Sequence, residues 1–205
     1  MVVAANRDEF HARPAAPAAW WADAPAILAG RDLEARGTWM GVSRTGRFAA
    51  VTNYRGAREP RARESRGALV TAALGGPSPA DLVAQIEPHA AQYSGFNLLA
   101  SDGEELWSLS NRGGGARRLE PGVYALGNTL LDAPEVGEAK AAFEKALAAP
   151  AIESLLGTLA PWRIVNDVYG TRCSTVLRVD GKQATYVERP YLPDGSAGET
   201  RRYRF

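Results

Sequence analysis

Short apolar runs recur along this chain, separated by polar turns that often contain glycine, and this pattern predicts mostly short strands. The clearest pair flanks the turn RTGR (44–47), and two apolar strands around a short glycine-containing turn are typical of a hairpin. Residues 2–5 predict a first buried strand, which the polar residues 6–9 end as a turn. Further strands are predicted at 38–43, 48–54, 171–179 and 183–191, in four blocks within 95–127, and in the final ETRRYRF.

Two pairs of helices interrupt the strands. The first helix covers about 66–74 and stops at the next two glycines, and the second begins after Ser78, a good N-cap residue followed by Pro79. Pro88 is expected to kink or end that second helix. The other pair begins with a helix predicted from Pro134 onward, from its alanine, glutamate and lysine content, and a second short helix is predicted at 151–159.

Three segments between these elements are predicted to be loops. Residues 11–37, rich in alanine, proline and charge, are expected to form an ordered loop held by Trp20 and Trp21. Residues 55–67 carry five arginines and predict a solvated loop, with a phosphate or carboxylate clamp as the alternative. The run RGGGAR (112–117) lacks a strand-to-helix context, so it predicts a hairpin turn and not a phosphate-binding loop.

The order of strands, two helices, strands, two helices and strands predicts an α+β fold, with sheets covered by helices. Strict alternation of strand and helix, which marks a doubly wound parallel sheet, is missing from the pattern. No repeat and no long Gly/Ser linker divides the sequence, so we expect residues 1–205 to form a single domain.

Composition narrows the class of protein. Hydrophobic residues make up 45% and charged residues 23%, which are ordinary globular values, and the formal net charge of +1 gives no general attraction to nucleic acid. The single cysteine, Cys173, excludes an internal disulfide framework, and we expect it to be a small buried hydrophobe. With no secretory signal and no apolar run of about 18 residues, the sequence predicts a cytoplasmic protein without a membrane span.

The polar residues Asn6, Arg7, Asp8 and Glu9 are the main candidates for chemistry. Read from spacing alone, they predict a turn fixed by side-chain bonds to the backbone, with Arg7 paired to a carboxylate. The alternative is a ligand or active site, since polar residues at strand ends often bind ligands. His11 lies beside them, but His89 is distant in sequence, and no spacing of histidines, cysteine and carboxylates predicts a metal site.

These residues also carry a family resemblance. The string VVAANRDEFHARP resembles the signature of the NRDE-motif proteins, also called the transport and Golgi organisation protein 2 family. Five further blocks, in the family's order and spread over almost the whole chain, are similar to the same family: TWMGVSRTGRFAAVTNYR, SRGALV, YSGFNLL, YALGNTLLDAP and YGTRCSTVL.

The resemblance implies a fold like that of the N-terminal nucleophile hydrolases, a four-layer αββα sandwich with two mainly antiparallel sheets between helical layers. It also implies a pocket that combines Asn6, Arg7, Asp8 and Glu9 with Asn53, Asn128 and Arg172. In the related hydrolases an N-terminal Cys, Ser or Thr attacks, its own amino group is the base, and amide donors similar to Asn53 and Asn128 stabilise the oxyanion.

The chain departs from that pattern at its start. Family members begin Met-Cys and continue through an apolar strand, whereas here Met1 stands directly before VVAANRDE, and Val2 has no nucleophilic atom. The expected function is therefore small-molecule handling of the haem or lipid and acyl-CoA type, with haem as a transported ligand and not a resident cofactor. The alternative is an amide or thioester hydrolase whose true start, with an N-terminal Cys, lies upstream. Without its first strand the sheet would have an open edge, which predicts self-association through that edge.

Overall fold

The computed structural model describes residues 1–56, 64–181 and 183–205. Three short 3-10 helices accompany the main elements in these ranges, at Glu87–Gln92, Pro134–Val136 and Ala160–Trp162. The strands are β1 Val2–Phe10, β2 Ala15–Trp20, β3 Ile27–Asp32, β4 Met40–Ser43, β5 Phe48–Asn53, β6 Phe96–Ser101, β7 Leu106–Ser110, β8 Gly115–Leu119, β9 Tyr169–Asp180, β10 Gln183–Pro190 and β11 Arg201–Arg204. The α-helices are α1 Arg66–Gly75, α2 Pro79–Ile86, α3 Gly137–Leu147 and α4 Ile152–Leu159.

The described chain divides into two compact units, and the first contains Met1–Ala18 and Glu138–Phe205. Its sheet has the antiparallel order β1-β9-β10-β11, so that β1 pairs with β9 along its whole length. Helices α3 and α4 cover one face of this sheet, where Leu155 and Leu156 pack against Val176 and Val187. Because strand side chains alternate between faces, the neighbours of Val176 and Val187 in sequence point to the opposite face.

The second unit, Ala19–Gly137, is built on strands β3 to β8 of a sheet whose order is β2-β3-β4-β5-β6-β7-β8, and the last two residues of β2 also lie in this unit. Consecutive strands are neighbours, and short connections join most of these antiparallel partners. The exception is the pair β5 and β6, since α1 and α2 lie between these two strands in sequence. Helices α1 and α2 pack on one face, and their Val70, Leu74 and Leu82 join Phe96 and Leu98 in a buried apolar core. The predicted hairpin is present: Met40 pairs with Ala50 and Val42 with Phe48.

Two antiparallel sheets and four α-helices in the described ranges confirm the predicted α+β class. All four helices lie where the sequence predicts them. The Ser78 Oγ caps α2 by accepting a 3.1 Å hydrogen bond from the backbone N–H of Asp81, and α2 ends at Ile86, two residues before Pro88. RGGGAR is the predicted hairpin turn, since Ser110 pairs with Gly115 between β7 and β8.

Two predictions near the N-terminus were wrong. Asn6–Glu9 is not a turn but part of β1, because its side chains find polar partners along β9 and the strand can continue. The segment 11–37 contains the strands β2 and β3. The alanines and Pro17 of β2 are not typical of a strand, so the sequence did not predict one. β2 is the edge strand of its sheet, where a residue without a backbone N–H is tolerated.

The segment GVYALG (122–127) was wrongly predicted as a strand. Instead, the backbone of Ala125 bonds to Asp132: its N–H donates to Asp132 Oδ1 and its carbonyl accepts from the Asp132 N–H, both at 2.8 Å. The backbone groups that a strand would use are therefore satisfied within a loop. The prediction of a solvated or ligand-clamping loop at 55–67 falls mostly on residues 57–63, outside the described part of the chain.

Candidate functional site

The NRDE residues lie on β1 and divide between the two faces of the first sheet. Asn6 is opposite Ser174 on the face that the helices cover, and its Oδ1 accepts a 2.6 Å hydrogen bond from Ser174 Oγ. Its Nδ2 donates to the carbonyl oxygen of Leu159 at 3.1 Å, which ties the sheet to the last residue of α4. Both functional groups of this amide are thus engaged within the unit.

Asp8 lies on the same face as Asn6, opposite Thr171. The Thr171 Oγ1 donates to Asp8 Oδ1 at 2.6 Å and accepts from the backbone N–H of Ile164 at 2.8 Å. Partial burial raises the pKa of the Asp8 carboxyl above its ordinary value, and the hydrogen bond from Thr171 opposes that rise. Asp8 therefore holds the segment before β9 in place through Thr171.

Arg172 is the extra residue of a β-bulge. Arg7 pairs with Cys173 and Asp8 with Thr171, so that Arg172 has no partner on β1. Its Nη1 donates to three backbone carbonyl oxygens at the end of β1 and just after it: that of Phe10 at 3.0 Å and those of His11 and Arg13 at 3.3 Å. A bulge commonly redirects a side chain in this way, and here it places a guanidinium where it fixes a loop.

Arg7 and Glu9 alternate with Asn6 and Asp8, so they point to the face opposite the helices. Glu9 accepts from the backbone N–H of Phe10 at 2.8 Å and lies 3.8 Å from the Nε of Arg13. Arg7 is half-buried, and among the described residues its guanidinium makes no hydrogen bond and no ion pair within 4 Å. Its charge still acts on the buried Cys173 and Glu188, whose pKa values it lowers.

A buried carboxylate that sequence reasoning missed lies on this same face. Glu188 on β10 is 2% exposed and accepts a 2.8 Å hydrogen bond from the backbone N–H of Ala18, while Tyr203 Oη donates to the carbonyl of Ala18 at 2.8 Å. Burial raises the pKa of Glu188, although the Ala18 N–H and the positive charges of Arg201 and Arg7 oppose the rise. The signal in the sequence was the alternation of Ala184, Tyr186 and Glu188 along the predicted strand 183–191, which places this glutamate on the same face as two largely apolar side chains.

Two more buried groups surround Glu188. Burial, followed by the negative charge of Glu188, raises the pKa of the Cys173 thiol far above its ordinary value, so this buried thiol stays protonated. The predicted role of Cys173 as a small buried side chain is confirmed. Tyr186 is fully buried, and burial likewise raises its pKa; its hydroxyl has no hydrogen bond of ordinary geometry in the described part of the chain, although the side chain of Thr175 is near enough to lower that pKa.

The two predicted amide donors lie in the second unit. Asn128 Nδ2 donates to the backbone carbonyl of Asn53 at 2.9 Å, so the structure brings these two residues together. Asn97, which the sequence did not single out, is 2% exposed and donates to Thr52 Oγ1 at 3.1 Å and to the carbonyl of Thr129 at 2.7 Å. The Oδ1 of Asn97 is buried and has no hydrogen-bond partner among the described residues. Asn97 therefore connects β5 to the segment that carries Asn128.

The remaining candidate ligands are dispersed. His11 Nε2 lies 2.8 Å from the carbonyl oxygen of Asn166, and His89 lies in the 3-10 helix Glu87–Gln92 of the second unit. Within the ranges that the structure describes, no three histidine, cysteine or carboxylate side chains are grouped as metal ligands. No helix in those ranges has the length and apolar character needed to cross a membrane.

Comparison with known proteins agrees with the motifs. The family model described as transport and Golgi organisation 2 matches residues 1–161. The homologs of transport and Golgi organization 2 from Mus musculus and Bos taurus are 32% identical over 255 aligned positions and 33% over 257, and each alignment covers 100% of this chain and 92% of the relative. The protein of that name from Drosophila melanogaster is 31% identical over 181 positions, with 78% of this chain and 64% of the relative covered. The chain therefore belongs to the transport and Golgi organisation 2 family.

Proposed function

We propose that this protein binds a small anionic molecule of the haem or acyl-CoA type without reacting with it, and that Arg7 binds the anionic group. The observation that carries the proposal is the half-buried Arg7 guanidinium, which has no hydrogen-bonding partner in the described chain. A guanidinium offers five N–H donors in a planar fork that fits a carboxylate or a phosphate. Haem has carboxylates and acyl-CoA has phosphates, so both ligand types meet this requirement.

The NRDE motif then combines two roles. Asn6 and Asp8 support the strand through Ser174, Leu159 and Thr171, whereas Arg7 faces the other way. A charged donor held on a rigid strand loses little entropy when a ligand binds, which favours affinity. This division of roles predicts that changes at Asn6 or Asp8 act on stability, and that a change at Arg7 acts on binding.

The state of the thiol supports binding over covalent chemistry. A thiolate is the nucleophilic form of cysteine, and the pKa of Cys173 is raised by burial and by the charge of Glu188. We therefore assign Cys173 no part in a covalent step. The name of the relatives refers to transport, and a carrier that binds and releases its cargo unchanged fits that word.

Titration with two probes, hemin and palmitoyl-CoA, tests the proposal. We expect at least one of them to bind, and Arg7→Gln to weaken that binding roughly tenfold or more, as is usual when a charged hydrogen-bond partner is lost. The matched control is Arg178→Gln on β9, whose guanidinium is exposed and bonds to Asp180 at 3.3 Å.

Three outcomes would contradict the proposal. One is that neither probe binds, and another is that Arg7→Gln binds as tightly as the unchanged protein. The third is release of free coenzyme A thiol from palmitoyl-CoA, which would mean that the protein is a thioester hydrolase and not a carrier.

A further inference from the structure

Large apolar side chains are concentrated at one exposed place in the first unit. Within the described ranges, nine large hydrophobic residues are more than a third exposed, and six of these lie at the end of β1, between α4 and β9, or just after β10. We call these six side chains the apolar patch: Phe10, Trp162, Ile164, Val165, Val168 and Leu192. Scattered exposed hydrophobic residues are ordinary, but a concentration of them marks an interaction surface.

Contacts between the three segments show that the patch is continuous. The backbone N–H of His11 donates to the carbonyl of Val168 at 2.9 Å, which joins the end of β1 to the segment 162–168. A Cβ added at Gly195 would lie 2.9 Å from Val165 Cγ2, so Val165 rests on the turn that also carries Leu192. Arg163 Nη1 donates to the carbonyl of Gly195 at 3.3 Å across the same boundary.

The exposure of these side chains indicates that the partner is a macromolecular surface and not a small ligand. Val168 is 64% exposed, Val165 and Leu192 are each 57% exposed, and Phe10 is 55% exposed. A pocket buries most of a small ligand and is lined by side chains that are themselves largely covered. These side chains instead project outward, and only another macromolecular surface would remove them from water together.

Two charged side chains beside the apolar patch indicate which kind of macromolecular surface covers it. Asp167 lies between Val165 and Val168, and its side chain has no hydrogen bond or ion pair with any described residue. Arg163 donates to the carbonyl of Gly195 and lies over the ring of Tyr191, 4.4 Å from its centroid. It meets no carboxylate among the described residues. Insertion of this loop into lipid would bury Asp167 in an apolar phase, which disfavours a membrane.

We propose that a second copy of this chain covers the apolar patch in a symmetric dimer. A two-fold interface brings each part of one patch against the same patch of the partner, so it must be complementary to itself. The patch meets that condition, because it has an apolar surface and, within one loop, the oppositely charged Arg163 and Asp167. In the dimer the Asp167 carboxylate of one copy lies near the Arg163 guanidinium of the other. This surface differs from the sheet edge at β1 through which the sequence predicted association.

Sedimentation velocity of the full chain, from about 1 to about 100 µM, tests the proposal, since association depends on concentration. We expect a dimer, and we expect Val168→Glu and Asp167→Arg each to weaken it roughly tenfold or more, by placing a charge against an apolar surface or against Arg163. The matched control is Leu33→Glu in the second unit, where Leu33 is 46% exposed and outside the patch. Circular dichroism melts of all variants confirm that they are folded.

A monomer over the whole concentration range would overturn the proposal. So would a dimer that both patch variants leave unchanged, a result that would indicate the β1 edge instead. A third overturning result is a monomer that cosediments with phosphatidylcholine vesicles and loses this property in Val168→Glu, since the patch would then bind lipid. None of these measurements uses hemin or palmitoyl-CoA, so they do not depend on the function proposed above.

Discussion

Thr171 and Asp8 meet across two neighbouring strands, where the Thr171 Oγ1 donates a 2.6 Å hydrogen bond to Asp8 Oδ1. The bulge at Arg172 makes this pairing possible, because it shifts the register of β9 by one residue and brings Thr171 opposite Asp8. The same hydroxyl accepts from the backbone N–H of Ile164. The buried Thr171 thus provides a hydrogen-bond donor for the Asp8 carboxylate and fixes the segment that precedes β9.

Replacement of Thr171 by valine should therefore destabilise the fold. The variant keeps the shape of the side chain but leaves the Asp8 carboxylate and the Ile164 N–H without this partner, at a cost of about 1 to 3 kcal/mol in the free energy of unfolding. Urea unfolding at neutral pH measures the change. Thr200→Val, at an exposed threonine, is the control and should alter stability little. Equal stability of the two variants would contradict the assigned role of Thr171.

Tyrosine-to-phenylalanine changes at two positions of the first unit should have opposite signs. Tyr186→Phe removes a fully buried hydroxyl without a hydrogen bond of ordinary geometry among the described residues, so we expect stability to rise by about 1 kcal/mol. Tyr203→Phe removes the 2.8 Å hydrogen bond to the carbonyl of Ala18, so we expect a loss of similar size. Thermal unfolding of Tyr186→Phe and Tyr203→Phe measures the two changes in stability. A loss in Tyr186→Phe would mean that this hydroxyl has a partner after all.

Stability should fall as the pH rises through the titration range of Glu188. Burial raises the pKa of Glu188 in the folded protein above its ordinary value of 4.5, so the folded state holds its proton more tightly than the unfolded state does. The folded state is therefore most favoured below about 4.5, and this contribution is lost as the pH rises from there through the folded pKa. Unfolding free energies measured against pH should decline less steeply in Glu188→Gln. Glu153→Gln, which also removes one carboxylate but at the surface, is the matched control.

The Cys173 thiol should resist modification in the folded protein. It is 5% exposed, and its raised pKa keeps it protonated, so both access and nucleophilicity are low. We expect a disulfide reagent such as DTNB to react on the order of 100-fold more slowly than in urea, where the chain is open. Fast reaction without denaturant would show that the Cys173 thiol is accessible, and it would contradict the assignment of no covalent role to this residue.

Loss of the Arg172 side chain should loosen the segment after β1. Its Nη1 bonds to the carbonyls of Phe10, His11 and Arg13, and one guanidinium therefore fixes a whole turn. In Arg172→Met we expect faster hydrogen exchange at the amides of His11 and Arg13, which bond to Val168 and Phe10. Exchange at the amides of β6 in the second unit provides the control. Unchanged exchange at His11 and Arg13 would show that Arg172 does not hold this segment.

The sequence by itself determined the elements whose signals are local. The cap at Ser78, the helix-forming composition of α3 and α4, and the turn between β4 and β5 depend on residues a few positions apart, and the structure has all of them. The order of the elements gave the α+β class for the same reason. The family followed from the motif blocks, because a family signature is itself a property of the linear sequence.

Only the tertiary structure decided how the NRDE residues are used. Whether Asn6–Glu9 forms a turn or a strand depends on Ser174 and Thr171, which lie more than 160 positions away and supply the polar partners that let β1 continue. The burial of Glu188 depends in the same way on the backbone of Ala18, 170 positions distant. Hydrogen bonds and burial depend on residues that are close in space. The pattern of residues along the sequence does not show which residues, far apart in sequence, become neighbours in the fold.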